Sequence, residues 1–143
     1  MLKLSHIGIA VKDLPALMRL FSILGLDVTA VEDVPSEGVR THFLSVKTLD
    51  SGGVIELLEP VEKDGPVMKF INKRGPGLHH LSFSVRSGEL VRLCNKLASE
   101  GFRLVYKAPQ PGAHGMNVNF IHPSSADGVL IELAEPMAAP GGR

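Results

Sequence analysis

Two histidines and two glutamates occupy matching places in the sequence, and together they have the chemistry of a metal site. His6 and His80 each open a segment in which apolar residues alternate with small ones, and Glu56 and Glu132 each stand between two aliphatic residues. Two imidazoles and two carboxylates, with room left for water, suit a roughly octahedral divalent ion better than a closed structural zinc site. The four residues therefore predict a site for cobalt, manganese, nickel, zinc or iron.

The faces on which these residues lie favour a bound group over a packed core. Side chains alternate across a strand, so His6 shares its face with Gly8, and His80 shares its face with Ser82. Such small neighbours leave room for a ligand. A buried carboxylate is costly unless a cation or another partner compensates for its charge. Each residue taken alone would be assigned a structural role, but the same pair occurring twice indicates metal binding.

The pairing of histidine with glutamate comes from an internal repeat. Three segments of the first half recur in the same order in the second half, at offsets of 74 to 76 residues. They are HIGIAV and HLSFSV at residues 6 and 80, LGL and GF near residues 25 and 101, and IELLEP and IELAEP at residues 55 and 131. Three matches at nearly one offset indicate a duplicated module.

Each copy of the repeat is predicted to fold as a βαβββ module. An alternating strand is followed by a helix, over residues 14–24 in the first copy and 89–100 in the second, and Gly25 and Gly101 stand where a glycine ends a helix. Three runs rich in β-forming residues follow, separated by glycine and proline. They are residues 27–32, 41–47 and 53–58 in the first copy, and residues 103–107, 117–122 and 128–134 in the second.

The expected fold is α+β, with two βαβββ modules pairing into a curved, half-open barrel around a metal cleft. One domain spans residues 1–136, in which residues 4–60 form the first module and residues 77–136 the second. Residues 66–74 form a connecting helix, and residues 137–143 form a flexible tail. At 143 residues and 44% hydrophobic composition, the chain is too short for two ordinary domains.

Composition excludes several classes of partner. Fifteen basic residues balance fifteen acidic ones, so no net field draws the protein to nucleic acid or to an anionic membrane. No apolar run reaches the roughly 20 residues that span a bilayer, and no signal peptide is expected. The single cysteine, Cys94, lies among aliphatic residues and is interpreted as a buried thiol on a helix. We therefore expect a cytoplasmic protein that acts on small molecules.

Five short segments also carry a family resemblance. They are HIGIAV, GPGLHH, GAHG, FIHP and GVLIEL, which begin at residues 6, 75, 112, 120 and 128. With them the chain resembles the vicinal-oxygen-chelate superfamily over residues 4–136, and within it most closely the methylmalonyl-CoA epimerase family. In that superfamily paired βαβββ modules enclose one metal ion. The doubled histidine, and FIHP followed by GVLIEL, favour the epimerases over glyoxalase I.

The resemblance implies that His6, Glu56, His80 and Glu132 bind the metal, which are the four residues that strand parity and the repeat also indicate. It implies that the protein interconverts the 2R and 2S forms of methylmalonyl-CoA by removing the α-proton and stabilising an enolate at the metal. Glu132 is the first candidate for proton transfer, and Glu56 is the second. Some bacterial epimerases carry a catalytic carboxylate at the position of Thr41, and threonine cannot serve as a base.

A loop at residues 109–115 contains two prolines and two glycines and precedes a strand. Gly112, His114 and Gly115 are predicted to bind the substrate, in a loop that folds over it or offers backbone N–H groups to its carboxylate. The alternative is an ordinary hairpin connection. The expected partners are an acyl-CoA substrate and a second copy of the chain, because related proteins commonly form homodimers.

Other polar residues are left out of the predicted site. His79 has the opposite strand parity to His80, and His42 and His122 have no matching glutamate. Glu59 and Glu135 precede prolines at strand ends and are expected to lie in solvent.

Two other functions remain open at this point. A lactoylglutathione lyase (glyoxalase I) type of isomerase uses the same histidine and glutamate ligands, and substrate assays would separate the two enzymes. A non-catalytic small-molecule-binding member of the superfamily closes an apolar groove without a metal, which four ligand-type residues disfavour. A ring-cleaving dioxygenase has two histidines and one carboxylate at its iron, so Glu56 argues against that function.

Overall fold

The computed structural model describes residues 2–47 and 52–137. They form two compact units. The N-terminal unit comprises the described residues from His6 to His79, and the C-terminal unit comprises those from His80 onward together with residues 2–5. The predicted flexible tail, apart from Met137, lies outside the described residues.

The first module has one strand, one helix and three further strands, as predicted. Its elements are β1 (Lys3–Ala10), α1 (Leu14–Ile23), β2 (Val28–Val34), β3 (Val39–Lys47) and β4 (Gly52–Pro60), and the predicted connecting helix follows as α2 (Pro66–Arg74). The strand order is β2-β3-β4-β1, with β1 parallel to β4 and the other pairs antiparallel. The predicted strands differ from the observed ones by one or two residues at their ends.

Helix α1 begins and ends where its local sequence directs. The Asp13 carboxylate accepts a hydrogen bond from the Ala16 N–H at 3.2 Å, which satisfies one of the unpaired donors of the first turn. At the other end Gly25 has a φ of 83°, and the Leu26 N–H donates to the Phe21 carbonyl at 2.8 Å. This left-handed ending is the one that glycine favours, so the predicted helix stop is confirmed.

The two faces of β1 pack against different helices. Ile9 packs in the apolar cluster beneath α1, which also contains the buried Val11 just after the strand. Ala10, on the opposite face, packs with Val67 and Ile71, the buried residues of α2. Because Ala10 shares its face with His6, helix α2 covers one end of the face that carries this histidine.

The second module repeats the order of elements. They are β5 (Gly77–Ser84), α3 (Leu90–Ser99), β6 (Gln110–Pro111), β7 (Met116–Ile121) and β8 (Leu130–Pro136). The strand order is β5-β8-β7-β6, with β5 parallel to β8 and the other pairs antiparallel. Gly101, with a φ of 89°, ends α3 as predicted.

The strand predicted over residues 103–107 is wrong. A single isolated bridge forms in that segment, and the short β6 takes its place in the module. The side-chain oxygen of Asn119 accepts a hydrogen bond from the Tyr106 N–H at 3.1 Å, and the Asn119 amide donates to the Tyr106 carbonyl at 3.1 Å. The backbone of Tyr106 therefore binds a side chain instead of a neighbouring strand.

Helix α3 supplies the core of the C-terminal unit. Leu90 and Cys94 are buried with Val85 and Leu133 in one apolar cluster. Burial raises the pKa of the Cys94 thiol, so the interpretation of Cys94 as a buried thiol on a helix is confirmed. Among the described residues, no helix has both the length and the apolar character needed to cross a bilayer.

Candidate active site

His6 and Glu56 lie on neighbouring parallel strands at diagonal positions. Gly8 of β1 is opposite Glu56 of β4, and His6 precedes Gly8 by two residues on the same face. The His6 Nε2 and Glu56 Oε2 atoms are 3.5 Å apart, and each side chain is 15% exposed. Two donor atoms that bind one ion at about 2.1 Å stand about 3.0 to 3.4 Å apart. The observed 3.5 Å is close to the upper end of this range and longer than a strong hydrogen bond, so the pair could share a metal ion after a small movement.

The C-terminal unit contains the same diagonal for His80 and Glu132. Ser82 of β5 is opposite Glu132 of β8, and His80 precedes Ser82 by two residues on the same face. The buried Ser82 hydroxyl donates to Glu132 Oε1 at 2.6 Å. Each unit thus places one histidine and one glutamate on one face of a parallel strand pair.

Thr41 lies on the same face of its strand pair as Glu56. In the antiparallel ladder of β3 and β4, Phe43 is opposite Glu56 and Thr41 is opposite Leu58, two residues farther along. Thr41 is 3% exposed. A buried hydroxyl at this position cannot take the role of a carboxylate base.

Sequence reasoning missed the pairing of His42 with Glu59. The His42 Nε2 and Glu59 Oε2 atoms are 2.8 Å apart, with His42 on the strand face opposite to that of Thr41. The expectation that Glu59 is simply solvated is therefore wrong. The register of β3 and β4 would have indicated this pair, because His42 is opposite Leu57, two residues from Glu59.

The expectation that Glu135 lies in solvent is also wrong. Glu135 is 8% exposed, and its Oε2 accepts a hydrogen bond from the Leu90 N–H at 3.0 Å. Leu90 is the first residue of α3, where unpaired N–H groups and the positive end of the helix dipole favour a carboxylate. Glu135 therefore caps α3 from strand β8.

The histidines that were left out of the predicted site have other partners. The ring of His79 packs edge-on against Phe70 with their centroids 4.8 Å apart. Burial lowers the pKa of His79 to about 4, so this imidazole is neutral near pH 7. His122 accepts a hydrogen bond from the Ser124 N–H through Nδ1 at 3.0 Å.

The three predicted substrate-binding residues lie together in the connection between β6 and β7. The Gly112 N–H donates to the Met116 carbonyl at 2.7 Å, which closes a hairpin. His114 and Gly115 have left-handed backbones, with φ of 56° and 67°, and His114 is exposed. The loop therefore has the hairpin connection that was one of its two interpretations, and its contact with substrate stays a prediction.

The match to a known family covers most of the chain. Residues 5–120 match the Glyoxalase/Bleomycin resistance protein/Dioxygenase superfamily. The chain belongs to this superfamily. The predicted resemblance is thereby confirmed, because the vicinal-oxygen-chelate proteins are this superfamily.

Several relatives in the superfamily are epimerases. The chain is 33% identical over 136 residues to the ethylmalonyl-CoA/methylmalonyl-CoA epimerase of Cereibacter sphaeroides, which covers 93% of this chain and 97% of that protein.

Two solved structures of methylmalonyl-CoA epimerases also resemble this chain. The methylmalonyl-CoA epimerase of Mycobacterium tuberculosis is 38% identical with a TM-score of 0.80, covering 94% of this chain and 88% of that one. A methylmalonyl-CoA epimerase in complex with methylmalonyl-CoA and NH4+ is 32% identical with a TM-score of 0.80, covering 95% of each chain. These likenesses confirm the predicted α+β fold of two βαβββ modules.

Proposed function

We propose that this protein is a metal-dependent epimerase that interconverts the 2R and 2S forms of methylmalonyl-CoA. One observation carries the proposal, which is the histidine and glutamate on matching strand diagonals in both units of a superfamily member. The choice of substrate is supported by methylmalonyl-CoA epimerases that match this chain over most of their length.

In this proposal His6, Glu56, His80 and Glu132 hold the metal. The 3.5 Å between the donor atoms of His6 and Glu56 supports the assignment. A divalent ion would supply the positive charge that stabilises negative charge developing on the thioester and carboxylate oxygens of the substrate. Cobalt is the metal that the resemblance favours, with manganese, nickel, zinc and iron as alternatives.

The residues of the chain must remove a proton from one face of the α-carbon and add a proton to the other face. Glu132 is the proposed first base, and its hydrogen bond from Ser82 supports a carboxylate held in a defined direction. Glu56 is the second candidate. Thr41 is excluded because an alcohol is too weak a base to remove this proton.

The loop that contains Gly112, His114 and Gly115 is proposed to bind the substrate carboxylate. Consecutive backbone N–H groups in a turn with left-handed residues can form a concavity that binds anions. The left-handed backbones of His114 and Gly115, and the exposure of His114, support this role.

The proposal is tested by exchange of the substrate α-proton for deuterium, followed by NMR. The protein is reconstituted with cobalt, and a chelator-treated sample serves as the control. We expect exchange with loss of stereochemistry in the cobalt sample alone. A sample that demonstrably holds metal but shows no exchange would contradict the epimerase assignment and put glyoxalase-type substrates first.

Variants then separate the roles of the carboxylates. Glu132→Gln should lower the exchange rate by at least about 100-fold, the usual contribution of a general base. Glu89→Gln is the matched control, because Glu89 lies just before α3 and pairs with the exposed Arg92, and its loss should leave exchange unchanged. Glu56→Gln keeps a side-chain oxygen for the metal, so it should keep most of the exchange if Glu56 is only a ligand, whereas a loss like that of Glu132→Gln would make Glu56 the second base. Equal losses in Glu132→Gln and Glu89→Gln would remove Glu132 from the mechanism.

A lactoylglutathione lyase type of isomerase is the second candidate, because Glu56 also suits that enzyme. A non-catalytic binding protein would instead bind the acyl-CoA equally well after chelator treatment. The homodimer, which the resemblance implies, and the cytoplasmic location, which composition predicts, are separate proposals, and light scattering of the purified protein tests the first of them.

A further inference from the structure

The two glutamates proposed as metal ligands have different neighbours on the adjacent strands. Glu56 is opposite Gly8 on one side and Phe43 on the other. Neither of these two residues has a polar atom in its side chain. The repeat alone would predict the same surroundings for both glutamates.

Glu132 has the equivalent position in the second module, with one difference. It is opposite Phe120 on one side and Ser82 on the other. Ser82 is 0% exposed, and its hydroxyl donates to Glu132 Oε1 at 2.6 Å. Such a length is typical of a hydroxyl bound to a charged carboxylate, one of the stronger hydrogen bonds in proteins.

We infer that Ser82 is a positioning residue that fixes the Glu132 carboxylate for metal binding and proton transfer. The hydroxyl occupies one oxygen of the carboxylate and so restricts rotation about its terminal bond. The bond leaves Oε2 as the oxygen of Glu132 that this hydroxyl does not occupy, on the strand face that Glu132 shares with His80. This inference rests on the proposed function, and it assigns Ser82 to hold Glu132, whereas Glu56 receives no such bond from Gly8.

The test compares four proteins: the unmodified chain, Ser82→Ala, Ser82→Thr and Ser84→Ala. Ser84 is the matched control, because it lies on the same strand and face as Ser82 but is opposite Ala134 instead of a glutamate. Cobalt is titrated into each metal-free protein, and the dissociation constant and the visible absorption spectrum of the bound ion are measured. Circular dichroism shows that each variant is folded.

We expect Ser82→Ala to weaken cobalt binding by about 10- to 100-fold, the usual effect of losing a residue that orients a metal ligand. Its cobalt spectrum should also change, because the Glu132 ligand is no longer held in one orientation. Ser82→Thr keeps the hydroxyl and should restore both properties, and Ser84→Ala should match the unmodified chain. A merely structural role for Ser82 would not change the spectrum.

Two results would overturn the inference, and they are distinguishable. Cobalt binding by Ser82→Ala with the affinity and spectrum of the unmodified chain would show that Ser82 does not position Glu132, and would leave the proposed function standing. Failure of the unmodified chain to bind cobalt or the other proposed metals would refute the metal site and the role of Ser82 together.

Discussion

Replacing Asn119 by alanine should destabilise the protein and release the segment that precedes β6. Asn119 is 0% exposed. Its side chain binds the N–H and the carbonyl of Tyr106, each at 3.1 Å, and accepts from the Phe120 N–H at 2.8 Å. Asn119→Ala removes these three bonds at once.

The size of the effect follows from the number and burial of those bonds. Each hydrogen bond contributes about 1 kcal/mol net, which gives about 3 kcal/mol for three bonds. Tyr106 is 37% exposed. In the variant, water therefore partly compensates for the two bonds that the Tyr106 backbone loses. We therefore expect the free energy of unfolding to fall by about 2 to 3 kcal/mol, a large share of the roughly 5 to 15 kcal/mol of a typical domain.

Urea unfolding followed by circular dichroism measures this loss. Asn117→Ala is the control, because Asn117 lies on the same strand face but is half-buried, and its loss should cost less than about 1 kcal/mol. Amide hydrogen exchange gives a local test. In Asn119→Ala the Tyr106 amide should exchange faster, whereas the Val105 amide keeps its bond to the Phe120 carbonyl at 2.8 Å. Equal destabilisation in both variants, or unchanged Tyr106 exchange, would refute the role of Asn119.

Three further predictions concern stability and pH. Glu135→Gln removes the charge at the start of α3 and should cost about 1 to 2 kcal/mol in urea unfolding, and no loss would contradict its capping role. Burial lowers the pKa of His79 from 6.5 to about 4, so the unfolded chain binds its proton more readily, and stability falls as pH drops from about 6.5 to about 4. Metal-free protein should lose about 2 kcal/mol from this source between pH 7 and pH 5, and His79→Phe should lack that loss when the two pH profiles are subtracted. A Cβ at Gly112 would lie 2.8 Å from Val118 Cγ1, so Gly112→Ala should cost about 1 to 3 kcal/mol, and Val118→Ala should relieve part of it if the contact is the cause.

The repeat and the alternation of apolar residues allowed much of the fold to be predicted. The three helices and the strands of the first module lie within one or two residues of the predicted ranges, because helical and strand periodicities are properties of the local sequence. The parity of His6 and Gly8 on β1 also follows from local sequence, since successive residues of a strand point to opposite faces.

The failed predictions depended on partners that are distant in the sequence. Residues 103–107 have the composition of a strand, but the side chain of Asn119 takes the backbone bonds of Tyr106. Glu135 precedes a proline at a strand end, yet its carboxylate binds the Leu90 N–H, 45 residues away in the chain. Neither contact could be predicted before the strand register was known.

Divergence between the two modules occurred at side chains, while the register of the strands was kept. His42 is opposite Leu57 in the first module, and Asn119 is opposite the equivalent Leu133 in the second. Both residues are buried and polar, but His42 pairs with Glu59, whereas Asn119 holds the backbone of Tyr106.

The proposed metal ligands also keep the same strand register in both modules but have different neighbouring side chains. Gly8 and Ser82 occupy equivalent register positions opposite Glu56 and Glu132, and only the serine can donate a side-chain hydrogen bond. A duplicated module that kept identical surroundings would offer two interchangeable carboxylates. Epimerisation needs groups with separate duties, because the proton leaves one face of the carbon and returns to the other. A one-residue difference on the adjacent strand, glycine against serine, is enough to make the two carboxylates unequal without disturbing the backbone that places them.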